Sequence, residues 1–576
     1  MKKPPALRYG VNDAPPLAVT ILSGLQQVGI VSIFLVYPLL VFREAALPPA
    51  KLLDILSLSM LAMSISVLLP ALRRGPVGTG YLCPSTFAGF YLKPSLMAVA
   101  TGSLPLVFGM TVFAGIVEAV LARLQRHLRS VFPPEIAGFV VLLLGVNIGT
   151  VGLRYVLGVG AAQPAGAAEL SVAAIALATM VGLTVWTGGS LKMFSALVGM
   201  VVGYGAGVYF GVLGADDFAR VAATPLVSAP ALDHLGWSWD AGLAAPFAIA
   251  ALAACLQTVG CVTTCQKIND ADWVRPDMRS AERGVLADAL GTVSAGLLGT
   301  VGVNASPTCV GVSGASGVTS RRVAYAVAVT FAALAFVPKA ASILAIMPRP
   351  VIGAALLFSA SFVFVNGLQI IATRLLDARR TFVIGLSFMI GFAADAFPAY
   401  VALAPAKIQS IVGSSLVLGL VCALALNVVF RLGSTRTGRL RVDPDAPDAD
   451  AIEQFMKHLG AAWGARRDII DRASFNLAQS IETIVDACAP HGLLEVEARF
   501  DEFNLDVTVS YAGEPLALPS RRPSDEEIME AEEGQRKLAG YLVRRLADGV
   551  EATHHEGRST LVFHFDHGAL VFHFDH

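Results

Sequence analysis

The sequence predicts an all-α polytopic membrane protein of fourteen transmembrane segments, arranged as 7+7 inverted repeats and followed by a cytosolic α/β domain. The 576 residues are 55% hydrophobic and 15% charged, whereas soluble domains carry roughly 25% charged residues. Residues 1–439 hold 29 Lys and Arg against 17 Asp and Glu, and the remainder holds 13 against 26. The chain therefore consists of a basic, apolar part and an acidic, polar part that fold in different solvents. The high apolar and low charged fractions exclude a purely soluble enzyme and a disordered chain.

Twelve apolar spans are predicted in the first part, and most are long enough to cross a ~30 Å hydrocarbon core. They occupy residues 17–42, 52–72, 104–124, 134–153, 166–187, 192–213, 245–266, 285–300, 323–346, 350–372, 380–397 and 407–431. Residues 1–16 are polar and rich in proline, so no cleavable signal peptide is expected.

Two further segments, 80–92 and 302–317, are too short or too broken to span a membrane as single helices. Both are rich in Gly, Pro, Ser and Thr, and each is third in its half if the second half begins at residue 245. Interrupted helices leave free backbone groups at membrane depth, which are tolerated where they line a cavity. The matching positions predict the 7+7 arrangement. The alternative is that both segments are ordinary extramembrane loops.

Basic residues fix the expected orientation. Clusters of Lys and Arg precede the first span and follow the even-numbered segments, so both termini are expected in the cytoplasm. The 214–244 loop carries aspartates instead and is expected outside. The seven cysteines form no CxxC motif and lie mostly in apolar segments, so neither a disulfide framework nor a metal site is expected.

The predicted boundaries after the spans are a linker over 440–450 and a cytosolic domain over 451–567. A long helix is predicted over 451–488, strands over 493–499, 505–511 and 559–566, and a further helix over 534–548. Residues 568–576 form a duplicated tail, because LVFHFDH at 561–567 recurs at 570–576. Such a tandem copy is more typical of a duplication scar than of a designed element.

Several motifs make residues 9–432 resemble the nucleobase–ascorbate transporter family, the xanthine/uracil permeases. The motifs are YGV at 9–11, LQQ at 25–27, LQTVG at 256–260, ADALGT at 287–292, TCVG at 308–311, MPRPVIGA at 347–354 and NGLQII at 366–371. The resemblance implies a core domain and a gate domain built from two inverted repeats. It also implies a substrate between the third and tenth segments, facing the eighth helix, and a homodimer formed through the gate domains.

The substrate-binding residues that follow from this resemblance are Gln257, Thr308, Phe87, Cys309, Gly311 and Gln26. A nucleobase has donors and acceptors on its edges and a flat aromatic face, so amides, hydroxyls and an aromatic ring suit it. The half-helix that begins near Thr308 would direct its N–H groups toward the ligand.

Three residues depart from the family pattern. Gln257 stands where the family usually has Glu, Thr308-Cys309 replaces Gln-Asn or Glu-Asn, and Gln27 stands in place of a frequent His. Glutamine takes up no proton at physiological pH, so coupling through residue 257 is in doubt. Asp288 and Asp395 are the remaining coupling candidates, and the coupling ion, proton or sodium, is left open. No cofactor is expected.

The tail resembles a GHKL-type ATPase domain of the anti-sigma-factor-kinase sort. Residues 475–492 resemble its N-box helix, with Glu482 and Asp486 at the spacing of the family's Glu and Asn, and 534–540 resemble its glycine box. Tyr511 replaces the base-reading Asp, so ATP binding is in doubt and a degenerate regulatory or dimerisation domain is expected.

The sequence thus predicts a transporter of purine-type nucleobases, xanthine or uric acid ahead of uracil, in the inner membrane of a bacterium, working by alternating access. It is not expected to be an enzyme or to bind nucleic acid; its partners would be a small-molecule nucleobase, the lipid bilayer and a second copy of itself. Three alternatives remain: an anion transporter of the sulfate-permease type, a membrane-tethered sensor or kinase, and a channel. The sulfate-permease type would have a tail that opens with a strand, whereas a long helix is predicted here.

Overall fold

The computed structural model divides the chain into two compact units. The membrane unit comprises residues up to 373 and 382–424, and the tail unit comprises 374–381 and 425–570. The division falls within the last apolar helix, so the domain boundaries near residue 440 stay a prediction. The structure describes residues 2–5, 7–73, 75–128, 134–159, 164–188, 194–231, 236–273, 276–372, 376, 378–401, 403–405, 412–431, 436–463, 465, 467–488, 490–501, 504–519, 532–555 and 557–566.

The first half of the membrane unit is helical apart from one short strand. Its helices are α1 (Leu17–Ile33), α2 (Val36–Glu44), α3 (Pro49–Ala71), α4 (Leu92–Thr101), α5 (Leu104–Leu128), α6 (Pro134–Leu157), α7 (Ala167–Trp186), α8 (Ser195–Tyr209) and α9 (Ala215–Ala223). Strand β1 (Ser85–Phe87) and a 3₁₀ turn (Gly89–Tyr91) precede α4. The predicted broken segment 80–92 is therefore a strand that leads into a half-length helix.

The second half repeats this order of elements. Its helices are α10 (Ala244–Asn269), α11 (Met278–Leu297), α12 (Pro307–Ser316), α13 (Arg322–Ala335), α14 (Pro338–Ala345), α15 (Arg349–Ala372), α16 (Ala378–Ala396), α17 (Pro398–Val401) and α18 (Ser415–Arg431), with strand β2 (Val303–Ala305) before α12. Pro307 at the first helical position and Gly317, whose φ of 67° is left-handed, set the two ends of α12.

Seven helices in the described part of the chain are long and apolar enough to cross a membrane, with α1 and α2 counted together as one helix. The number is eight if the bent pair α13 and α14 forms one span. The chain is thus a largely helical, multi-pass membrane protein. Helices α8 and α18 are apolar but shorter.

The tail unit contains a five-stranded antiparallel sheet in the order β3-β4-β5-β7-β6. The strands are β3 (Arg436–Val442), β4 (His491–Phe500), β5 (Asn504–Ala512), β6 (Gly549–His555) and β7 (Arg558–Asp566). The helices are α19 (Ala449–Trp463), α20 (Arg467–Cys488) and α21 (Glu532–Leu546). Alternate residues of β4 and β5 are buried, which gives the sheet one face toward an apolar core.

Two expectations for the secondary structure of the tail are wrong. The first is the long helix over 451–488, which is two helices, α19 and α20. These helices pack closely, since a Cβ added at Gly460 would lie 2.7 Å from Ile470 Cγ1. The second concerns the first element of the tail: strand β3 follows α18 among the described residues and pairs with β4 along its full length. The tail therefore opens with a strand, so its first element does not speak against the sulfate-permease alternative.

Candidate functional site

The two interrupted segments meet through their strands. β1 and β2 pair antiparallel, with Ser85 opposite Ala305, Thr86 opposite Asn304 and Phe87 opposite Val303. Three-residue strands are too short to be stable alone, but their pairing satisfies backbone groups within an apolar unit. A half-length helix follows each strand, so the N-terminal parts of α4 and α12 both begin close to this strand pair.

Gln257 on α10 is bonded to strand β2. Its Nε2 donates to Asn304 Oδ1 at 2.7 Å and to the Ala305 carbonyl at 3.0 Å. The side chain is half-buried. Both bonds use the amide nitrogen, so the amide oxygen keeps its capacity to accept from a ligand.

Asn304 links Gln257 to a buried carboxylate. Its Nδ2 lies 2.6 Å from Asp288 Oδ2, 2.9 Å from Thr258 Oγ1 and 2.8 Å from the Ala254 carbonyl. The side chain is almost completely buried. Amide, hydroxyl and carboxylate groups from three elements thus form one continuous network behind the strand pair.

Asp288 on α11 is 1% exposed and accepts three side-chain hydrogen bonds. Thr258 Oγ1 donates to Oδ2 at 2.7 Å, and Ser85 Oγ donates to Oδ1 at 3.2 Å, in addition to Asn304. Ser85 belongs to β1 and Asn304 to β2, so Asp288 connects both interrupted segments. These donors satisfy a buried carboxylate, which would otherwise be strongly destabilised.

The remaining residues named from the sequence lie around α12. Phe87 is fully buried on β1, and Cys309 is fully buried in the first turn of α12. Thr308 and Gly311 are exposed on the same helix, and a Cβ at Gly311 would meet no atom within 4 Å. Of these four, Thr308 and Gly311 are therefore the ones that a ligand can reach in this conformation.

Gln27, the neighbour of the predicted Gln26, is hydrogen-bonded to α12. Its Nε2 donates to the Cys309 carbonyl at 3.1 Å and to Ser313 Oγ at 2.9 Å, while its Oε1 is buried without a partner. Gln26 is half-buried on the same helix α1. Gln27 therefore anchors the half-helix in the place where the family often has His.

Asp395 belongs to a second, separate network. It forms an ion pair with Lys93 of α4, whose Nζ also lies 2.9 Å from Ser415 Oγ. Ser415 in turn donates to Asn147 Oδ1 at 2.8 Å. The structure thus assigns the two coupling candidates to different places: Asp288 to the strand pair, and Asp395 to a contact between α4 and α16.

Sequence reasoning missed Asn304, Lys93 and Glu118. Glu118 is fully buried in α5, beside the Asp288 carboxyl. It was the easiest to find, because it is a carboxylate inside the predicted span 104–124, and an acid within a membrane segment marks a functional site by default. Asn304 precedes the motif at 308–311, and only the strand pairing reveals its role.

In the tail, the predicted nucleotide motifs adopt other arrangements. Residues 534–540 lie inside α21 instead of in a phosphate-binding loop, and a Cβ at Gly540 would meet the Ala517 carbonyl oxygen at 1.9 Å. The Tyr511 hydroxyl accepts from the Leu516 backbone N–H at 3.1 Å. Glu482 lines a groove of about 750 Å³ along α19 and α20, and Asp486 is exposed.

Apolar spans, two interrupted segments and a buried polar network where their strands pair define a membrane transport protein. A model of the Permease family, of the xanthine/uracil permease type, matches residues 18–399, and the chain belongs to this family. Its members are permeases and not enzymes.

Two curated relatives are permeases that align over most of their own length. Xanthine permease XanP of Escherichia coli is 25% identical over 439 residues, covering 74% of this chain and 94% of that protein. Uric acid permease PucK of Bacillus subtilis is 22% identical over 401 residues, covering 68% and 91%. Among solved structures, the murine Slc26a9 anion transporter in the inward-facing state aligns at 12% identity with a TM-score of 0.47, over 75% of this chain and 71% of that one. This last likeness is too low to support a conclusion.

Proposed function

We propose that this protein transports purine-type nucleobases, xanthine or uric acid ahead of uracil, across the plasma membrane of a bacterium. The observation that carries the proposal is the Gln257–Asn304 pair beside the two interrupted segments. A purine edge presents alternating donors and acceptors, and an amide side chain can pair with two adjacent edge atoms. The named relatives, a xanthine permease and a uric acid permease, support the same class of substrate.

The substrate would bind where Gln257, Thr308 and Gly311 are accessible, against the first turn of α12. Backbone N–H groups at the start of a helix favour oxygen acceptors or partial negative charge. Oxidised purines carry carbonyl oxygens on both rings, so they suit this position better than an unsubstituted ring. Gln26, Phe87 and Cys309 would shape the site from behind.

The proposed transport cycle moves a core domain against a gate domain, in fourteen segments of two inverted repeats with both termini in the cytoplasm. The repeated order of strand followed by half-helix in the two halves supports this arrangement. A homodimer through the gate domains and a regulatory role of the tail unit belong to the same proposal.

Uptake of radiolabelled xanthine and urate by permease-deficient bacteria tests the substrate. Cells with the full-length protein should accumulate label several-fold above cells with an empty vector, and unlabelled xanthine should compete better than uracil. Gln257→Ala should lower uptake by about tenfold or more, since loss of one such hydrogen-bonding group costs about 1–3 kcal/mol. Membrane levels of each variant are measured by immunoblot. No uptake by protein that is present in the membrane would refute the substrate class.

An anion transporter of the sulfate-permease type remains the second candidate. One observation favours it: among the described residues, the first element after helix α18 is strand β3, as that alternative requires. The same cells should be assayed with labelled sulfate and bicarbonate. Saturable uptake of either anion, with no xanthine or urate uptake, would support this candidate instead; uptake that does not saturate would indicate a channel.

A further inference from the structure

Glu118 is a buried acid for which the structure describes no hydrogen-bond donor. It lies in the middle of α5, its side chain is 0% exposed, and among the described residues no hydroxyl, amide or cationic group donates a hydrogen bond to its carboxyl oxygens. The polar group beside it is the Asp288 carboxyl. A buried carboxylate without a donor is strongly destabilised, so this side chain needs an explanation.

The two neighbouring acids are in unequal surroundings. Asp288 accepts from Thr258, Asn304 and Ser85, whereas Glu118 accepts from none of the described side chains. Two carboxyl groups that share a buried site cannot both be ionised at low cost. The other titratable groups that bear on the pair supply no cation; they are Tyr91, Cys255, Cys83 and Cys261.

We propose that Glu118 and Asp288 form a one-proton site in which Glu118 carries the proton and Asp288 carries the charge, and that this site couples transport to the proton gradient. The coupling part rests on the proposed function. Residue 257 is a glutamine and cannot take up a proton, so the pair would take up the proton instead. In the step that releases the proton, the Glu118 O–H bond breaks, the proton passes to water on the cytoplasmic side, and the carboxylate is reprotonated from water on the outer side.

A chain of hydrogen bonds connects this site to the substrate position. Gln257 donates to Asn304 Oδ1 at 2.7 Å, and Asn304 donates to Asp288 Oδ2 at 2.6 Å. A nucleobase that bonds to the Gln257 amide competes with Asn304 for it, and a reoriented Asn304 changes the donors that stabilise the Asp288 charge. Because such coupling is reciprocal, protonation of the pair changes nucleobase affinity by the same factor.

Full-length protein in proteoliposomes tests this with two measurements on each variant. The first is xanthine accumulation under an imposed inward proton gradient, and the second is xanthine exchange without a gradient. For the wild type, the gradient should raise accumulation by about tenfold, a typical coupling factor. Glu118→Gln should lose this response and keep exchange, and Glu118→Asp, which retains a carboxyl group, should keep both. Glu135→Gln, a buried glutamate at the start of α6, is the matched control and should behave like the wild type.

A gradient response that survives in Glu118→Gln, or exchange by a wild type that ignores the gradient, would overturn the coupling. Infrared difference spectra between H₂O and D₂O test the proton site itself without any substrate. A protonated-carboxyl band should be present in the wild type and in Glu135→Gln and be missing in Glu118→Gln. Its presence with no xanthine transport would contradict the proposed function alone, whereas its absence would overturn the proton site in any case.

Discussion

Gln257 and Asn304 are joined side chain to side chain across the gap between helix α10 and strand β2, with 2.7 Å between Gln257 Nε2 and Asn304 Oδ1. A carboxylate at residue 257 could only accept here, so Asn304 would have to turn its amide around and give up its donation to Asp288. The departure from the family's glutamate therefore fits a local network in which residue 257 donates. Through Asn304, this hydrogen bond also connects residue 257 to the buried Asp288 carboxylate.

Asn304→Ala should disable the site while the protein still folds. The change removes the acceptor for Gln257 and a donor to Asp288, and leaving such buried groups unsatisfied costs about 1–3 kcal/mol, or about 5- to 150-fold in an equilibrium. Xanthine uptake normalised to membrane protein measures the effect. Asn366→Ala on α15 is the control and should stay near wild-type uptake; equal losses in both variants would contradict a specific role of Asn304.

Gly302→Ala and Gly311→Ala should separate packing from ligand access. A Cβ at Gly302 would lie 2.3 Å from the Tyr91 ring, whereas a Cβ at Gly311 would meet open space. Gly302→Ala should therefore lower the thermal unfolding temperature of the detergent-solubilised protein by several degrees, and Gly311→Ala should not. If Gly311 borders the substrate, its variant should raise the KM for xanthine without loss of stability. A stable Gly302→Ala protein would show that the strand pair adapts more easily than its close packing indicates.

The Lys93–Asp395 ion pair should stabilise the contact between α4 and α16. The two side chains are 24% and 20% exposed, so replacing one partner should cost less than the about 3–5 kcal/mol of a fully buried pair. Lys93→Met or Asp395→Asn alone should each lower the unfolding temperature. The double variant Lys93→Met with Asp395→Asn should recover part of the loss, because it leaves no unpaired charge. A double variant whose loss equals the sum of the single losses would indicate that the two residues do not interact.

In acid, the segment before α1 should be held less tightly against the residues that follow α12. Lys3 Nζ donates to Asp13 Oδ2 at 2.6 Å and the Gly10 backbone N–H donates to it at 2.9 Å, which together hold the pKa of Asp13 below its usual value. A lowered pKa means that this contribution is present above the ordinary Asp value of about 3.9 and is lost as the pH falls through the folded-state value. The effect is small because both side chains are well exposed.

Hydrogen exchange over residues 7–13 measures this loosening. The segment is hydrogen-bonded to the residues that follow α12. The Tyr9 backbone N–H donates to the Gly317 carbonyl at 2.9 Å, and the Thr319 N–H donates to the Tyr9 carbonyl at 2.9 Å. Protection should fall below about pH 4 in the wild type and should be weaker at neutral pH in Asp13→Asn. Lys2→Gln is the control, since Lys2 does not bond to Asp13. Identical pH profiles of wild type and Asp13→Asn would contradict the role of this carboxylate.

Composition and periodicity by themselves determined the class of this protein. Long apolar runs identify membrane helices wherever they occur, because a hydrocarbon solvent imposes length and hydrophobicity on each span separately. The same reasoning identified 80–92 and 302–317 as interrupted, since Gly, Pro and Ser break a helix locally. Gln257 could be selected because the motif LQTVG at 256–260 resembles the family's motif in the eighth segment.

Only the tertiary structure decided which polar groups act together. Ser85, Glu118, Thr258, Asp288 and Asn304 come from five elements and meet because β1 pairs with β2 and because α5 and α10 pack beside α11. A sequence records the residue types but not these approaches, since a hydrogen bond between residues 85 and 288 depends on how every intervening span packs. For the same reason, Asp288 and Asp395, which were equivalent candidates in the sequence, occupy two unconnected networks in the fold.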